Sequence, residues 1–471
     1  MSAATAQDGL RRELNLFGAV SLVVGIVIGS GIFLGVNRVA AGAGSPWLVI
    51  LAWVVGGLLT LMGALTYAEL GVLFPKAGGE YVFLREALGP LLAFLSGWTA
   101  FTINLAGSAA ALADIFARQL NALKPAGFEP LFGNLELSVK ITGAALIAAL
   151  ALLNYFGLRY GTVVQKSLTL LKGGLMVFLA IACLLYFGDP ATPRIGFFEQ
   201  AFTPGTPTAE GFSLTGLLSL SLVAALFAYD GWTNVVRVGS ELKNPSRNLP
   251  RAMLMGLGAV MLLYILLSLG YLQVLGFDGF ASSPKTVATD AANVLFGGTG
   301  QAIVAAMILV SVFGSLNGIT ISGPRIYYAM ALDGLFPRPF GTVNRHHVPG
   351  KAIAAQAGLS ILFLLLFDFN QLTDNVVFIS FFFYGLAGVG LLILRRKRPD
   401  LARPYRVPGY PYIPILFVVS SFLFVGYLLY DQVTTLSSAN FSRLAGLLVV
   451  AAGIPVYLFY KSRGGAARVN A

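Results

Sequence analysis

The sequence is poor in charge. Asp, Glu, Lys and Arg make up 11% of its 471 residues, against about 25% in an average soluble domain. A soluble fold of this length would have to hide more apolar surface than one core can take, since 57% of the residues are hydrophobic. There is one cysteine, Cys183, inside an apolar run. That excludes an intrachain disulfide and a Cys-rich metal centre. The two histidines, His346 and His347, are adjacent in a polar stretch with few other ligand types nearby and read as a solvated loop pair. Also missing are a phosphate-binding glycine loop ending in Lys-Ser/Thr, an H-E-x-x-H helix and a Gly-x-Ser-x-Gly elbow. These absences argue against ATP-driven chemistry by this chain and against a membrane enzyme. No cofactor and no metal are expected.

What the sequence does have is long apolar runs. A membrane-crossing helix needs about 20 mostly apolar residues, and such spans fall near 16–38, 47–73, 87–118, 138–157, 163–187, 214–238, 250–275, 299–331, 352–370, 374–394, 412–431 and 443–461. The runs are continuous, not alternating, which excludes a β-barrel. The fold class is therefore an all-α polytopic membrane protein. Gly, at 55 residues, suits close packing between membrane helices. Arg11 and Arg12 before the stretch from Leu16 imitate a signal peptide, but the stretch is too long and is followed by further spans, so it reads as a retained first helix.

The net charge is +11, and its placement says more than its sum. With twelve spans the termini share one side, and most Lys and Arg fall there: Arg11, Arg12, Lys76, Arg85, Arg237, Lys243, Arg247, Arg251 and the run Arg395, Arg396, Lys397, Arg398, Arg403, Arg406 among them. The opposite side holds only Arg38, Arg118, Lys124, Lys140, Arg194, Lys285 and Arg443. This bias puts both termini in the cytoplasm of a cell held at its plasma (inner) membrane. The partner surface is anionic lipid, not nucleic acid. The chain divides into a cytoplasmic tail 1–15, a five-span unit 16–188, an external loop 189–213, a second five-span unit 214–394, a basic cytoplasmic linker 395–411, two further spans within 412–461 and a tail 462–471. Pro399, Pro404, Pro408 and Pro411 make the linker structured but non-helical.

Two spans carry helix-breaking residues. The first reads Gly25-Ile26-Val27-Ile28-Gly29-Ser30-Gly31, where glycine and serine are poor helix formers. An unwound backbone in a membrane is tolerated only where it lines a cavity or is buried in protein. Such a break exposes N–H groups that attract a carboxylate and C=O groups that suit an ammonium. The same glycines equally suit close helix packing. The sixth span contains Phe227-Ala228-Tyr229-Asp230-Gly231-Trp232, and an acid within a membrane span is costly and marks function. Breaks five spans apart are the signature of an inverted five-plus-five repeat with a midplane site. Lys172 lies deep in the fifth span, fit to stand in for a bound cation or to carry a proton. Ser311 and Ser315 share one face of the eighth span and either meet Lys172 or a substrate, or bond their own backbone. Arg325, later in that helix, is expected to pair with an acid or with carbonyls. Glu241 to Pro250 reads as a gate-side or scaffold turn.

Together these pieces resemble the amino acid–polyamine–organocation (APC) transporter superfamily, and within it the L-type amino acid transporter (LAT) group. The resemblance is carried by Gly29-Ser30-Gly31-Ile32-Phe33, Tyr67-Ala68-Glu69-Leu70, Phe74 to Tyr81, Phe227 to Trp232, Glu241 to Pro250, and Tyr327 to Met330 with Asp333 to Pro337. It implies a LeuT-like fold. It implies a substrate carboxylate on the N–H groups of Ser30 and Gly31, and an amine facing the carbonyls of Val27, Phe227 and Asp230, near Ile28, Gly29, Ala228 and Tyr229. It further implies Phe227 as a gate, and Lys172 linking the first and eighth helices in place of sodium, with Ser311 and Ser315 beside it. Animal members attach to a glycoprotein through an external cysteine between spans three and four. The stretch 119–140 here has none, so no disulfide-linked subunit is expected. The function that follows is sodium-independent transport of neutral L-amino acids by alternating access, as exchange or proton-linked uptake. Asp230 leaves a cationic amino acid or a polyamine open, and a sensor that binds without translocating would have a similar site.

Overall fold

A computed structural model describes residues 10–29, 31–123, 133–186, 188, 220–283, 286–367, 369–434 and 442–469. Ser30, the whole of the expected external loop 189–213, and Lys124, Arg194 and Lys285 lie outside the described residues. Among these residues there are helices and two isolated β-bridges, Leu14 with Leu242 and Ala77 with Val238, and no sheet.

Helices α1 (Leu16–Val27), α2 (Gly31–Leu34) and α3 (Val36–Ala43) make up the first interrupted span, and α4 (Pro46–Leu73) the second. A short helix, α5 (Glu80–Leu88), leads to α6 (Pro90–Thr99), which runs through a π-turn at Ala100–Asn104 into α7 (Leu105–Ala122). Then come α8 (Leu135–Tyr155) and α9 (Leu158–Leu184). The second interrupted span is α10 (Leu222–Ala228) and α11 (Asn234–Arg237). It is followed by α12 (Pro245–Ala281), α13 (Val287–Phe296), α14 (Gly300–Ser322), α15 (Pro324–Leu332), α16 (Gly350–Leu366), α17 (Phe369–Lys397), α18 (Tyr412–Thr434) and α19 (Ser442–Val469).

Among the described residues, eight helical stretches are long and apolar enough to cross a membrane. Three shorter apolar helices, Leu16–Val27, Gly350–Leu366 and Gly446–Ser462, stand where the first, ninth and twelfth spans are expected. The sixth span falls short because it is split into α10 and α11. Two helices stand where the sequence reads as connection. α13 starts on a Thr286 side chain that accepts from the Thr289 N–H, and α5 begins just after Gly79, whose φ is +51°. Neither is apolar throughout, so a criterion of continuous apolarity passes over both.

α12 packs on α4, α1 and α9, while α14 packs on α7, α9 and α1. The first interrupted span is thus held against long helices, of which α12 kinks only near its C-terminal end, at Gly276. Buried ion pairs stitch one end of the bundle. Arg325 bonds both carboxylate oxygens of Glu241, at 2.7 and 3.0 Å, and also the Ile321 carbonyl, so it takes both kinds of partner expected of it. Arg395 bonds both oxygens of Glu69 at 2.7 Å, and the Val407 N–H donates to the same carboxylate at 2.7 Å. That clamp folds the linker after α17 back onto α4 and accounts for its order without helix. Buried charges of this kind are costly unless every partner is present.

Candidate substrate site between two interrupted helices

α1 stops because Ile28 leaves helical geometry, with φ −73° and ψ 78°. The Gly29 N–H turns back to the Val27 carbonyl at 2.8 Å. The chain re-enters helix at Gly31, where packing and the break are one matter: a Cβ built on Gly31 would sit 2.9 Å from the Cα of Ala228. Only a residue without a side chain lets the two broken spans touch there. The partner break turns at Gly231, with φ +105°, a left-handed geometry that favours glycine.

Breaking α1 strands the carbonyls of its last turn, and buried acceptors need donors. Lys172, on α9 and 1% exposed, supplies them. Its ammonium donates to the Gly25 and Ile28 carbonyls, both at 2.6 Å, and lies 3.4 Å from the Ser311 carbonyl of α14. Ser311 Oγ donates to the Ile28 carbonyl at 2.7 Å, and Ser315 Oγ lies 3.2–3.3 Å from the carbonyls of Gly25, Ile26, Ile28 and Ser311. Lys172, Ser311 and Ser315 therefore meet on the backbone of α1, and the lysine is not a helix-end residue reaching for water.

On the other side of the break lies a cavity of about 120 Å³. Its wall includes Val27, Gly29, Gly31, Phe227, Ala228 and Asp230, with Ser315 behind them. Of the other residues singled out in the sequence, Ile28 is buried at 1% exposure, and its carbonyl faces Lys172. Tyr229 is also buried, its hydroxyl donating to the Trp53 carbonyl at 3.1 Å. Part of the Asp230 carboxylate is taken up within the wall: Oδ1 accepts from Tyr384 of α17, another wall residue, at 2.9 Å. Phe227 shares its carbonyl with the Asp230 N–H at 3.1 Å.

Sequence reasoning missed several residues of the site. Tyr264 on α12 places its hydroxyl 3.1 Å from the Val27 carbonyl and 3.0 Å from that of Ala228, bridging both breaks. Its only signal in the sequence is a hydroxyl amid an apolar run. Asn104 stands at the end of the π-turn, donates to Ser380 Oγ at 3.2 Å and leaves its own Oδ1 without a protein partner. A π-turn carries no sequence mark that periodicity can find. Arg237, expected among the charges outside the membrane, is instead a buried part of the cavity wall.

Known proteins are similar to this chain over most of its length. The family profile described as amino acid permease matches residues 14–452. The serine/threonine exchanger SteT of Bacillus subtilis is 34% identical over 98% of this chain and 99% of its own length. The large neutral amino acids transporter small subunit 2 of Mus musculus is 31% identical over 95% of this chain and 81% of its own. The b(0,+)-type amino acid transporter 1 of Mus musculus is 30% identical over 88% and 82%.

Proposed function

Because this chain belongs to the amino acid permease family of amino-acid transporters in the APC superfamily, we propose that it exchanges neutral L-amino acids across the plasma (inner) membrane without sodium. The observation that carries this reading is the Lys172 ammonium on the carbonyls of Gly25 and Ile28. A fixed cation already neutralises the carbonyl end of the broken helix, where a transported cation would otherwise be needed. In this reading the substrate carboxylate takes the N–H groups of Ser30 and Gly31. Its amine takes carbonyls at the two breaks, which the Tyr264 hydroxyl holds at Val27 and Ala228 and releases by rotating. Phe227 closes over the bound amino acid.

Exchange of a small neutral amino acid is favoured because a close relative is named a serine/threonine exchanger, and because the Asp230 carboxylate is partly taken up by Tyr384. In this reading the chain is organised as two inverted five-span units followed by two further spans, with both termini cytoplasmic, which the uneven placement of Lys and Arg supports. It works without a disulfide-linked subunit.

The test is counterflow in proteoliposomes: labelled serine outside, a panel of unlabelled L-amino acids inside. Uptake is expected only with internal amino acid, and unchanged when sodium is replaced by choline. Binding without flux would make the protein a sensor. A flux that follows an imposed pH gradient with no internal substrate would replace exchange by proton-linked uptake.

A further inference from the structure

Among its described residues the cavity wall carries one carboxylate, Asp230, and one guanidinium, Arg237. Arg237 is the last residue of α11, seven residues after Asp230 and beyond the turn at Gly231. It is only 4% exposed. Its Nη2 donates to Glu80 Oε1 at 2.7 Å and its Nη1 to Asn234 Oδ1 at 2.8 Å. Glu80 is equally buried, is not among the wall residues, and its second oxygen has no partner among the described groups. The guanidinium thus stands between the cavity and a second carboxylate. The other nearby cation, Lys172, is committed to the carbonyls of α1.

We propose that Arg237 sets the charge preference of the cavity, admitting amino acids with uncharged side chains and turning away those bearing an ammonium or guanidinium. This rests on the reading above that the cavity takes amino acids. A cationic side chain entering the cavity is drawn to Asp230 and repelled by Arg237, and the two contributions offset. Without Arg237 the repulsion goes and Glu80 adds to the attraction. For unit charges roughly 10 Å apart at the effective dielectric of a partly buried site, the interaction is worth roughly tenfold in preference.

The experiment is counterflow of labelled serine, with external lysine and external serine compared as competitors. The readout is the ratio of their half-inhibiting concentrations. Wild type is expected to be far more sensitive to serine. Arg237→Gln should lower the lysine-to-serine ratio by at least about tenfold, and Arg237→Lys should keep the wild-type ratio. Arg237→Gln leaves Glu80 buried and unpaired, so it risks misfolding. The double variant Glu80→Gln/Arg237→Gln removes both members of the ion pair, leaves no buried Glu80 charge unpaired, and should show a smaller fall in the same direction. A wild-type ratio in the double variant overturns the proposal. If the wild-type protein neither binds nor moves any amino acid, the reading of the cavity itself is what fails.

Discussion

Lys172 is the residue on which the site turns. Truncating it in Lys172→Ala removes a charged donor from two buried carbonyls, which keep only the Ser311 and Ser315 hydroxyls, at about 1.5–3 kcal/mol for each bond lost. Exchange should fall by at least roughly tenfold while the protein still elutes as a single folded species. Undiminished exchange would make the lysine a bystander. Gly31→Ala asks a different question. Its new methyl would lie 2.9 Å from a backbone carbon of Ala228, and neither span can yield without moving the other. A loss of about 1–3 kcal/mol in stability is expected, seen as a lower unfolding temperature in detergent together with lost transport. Asp230→Asn keeps the size and the acceptor for Tyr384. Because the carboxylate draws a cationic side chain into the cavity, competition by arginine and lysine relative to serine should weaken; unchanged competition would show that the Asp230 carboxylate does not act on the substrate.

Among the helices, the clamp on α4 is the clearest object for test. Glu69 is fully buried and holds Arg395, Arg403 and the Val407 N–H. Glu69→Gln removes the only carboxylate in that set, and breaking such a pair costs about 3–5 kcal/mol. Thermal unfolding should drop markedly; a wild-type transition would show that the linker is held by packing alone. Long helices such as α4, α9 and α12 are legible in the sequence because lipid selects apolar residues on every face. The breaks are legible because glycine and an intramembrane acid are conspicuous against that background. α5 and α13 are not, since their faces are mixed and they are short. Nor is the π-turn at Ala100–Asn104, which uses ordinary residues, and Asn104 reaches the cavity wall through it. Tyr264 and Arg237 escaped for a related reason. Their roles depend on which face of a helix meets the breaks, and a span apolar all round has no periodicity to say so. Arg237 was moreover placed outside the membrane by its charge, where a buried acid in α5 allows it to stay inside.

For the whole molecule, the lone cysteine bears on assembly. Cys183 is buried in α9, so the protein should migrate identically on gels with and without reductant, and should exchange serine when purified alone. A higher-mass band that disappears on reduction would contradict this. The Lys172 brace has a consequence for how the family can vary. Its acceptors are main-chain carbonyls at Gly25 and Ile28, and every amino acid carries that group. Side chains along this stretch can therefore drift with substrate preference while the brace persists. An insertion or deletion there would move the carbonyls themselves, so changes of length in this stretch should be far less tolerated than changes of residue.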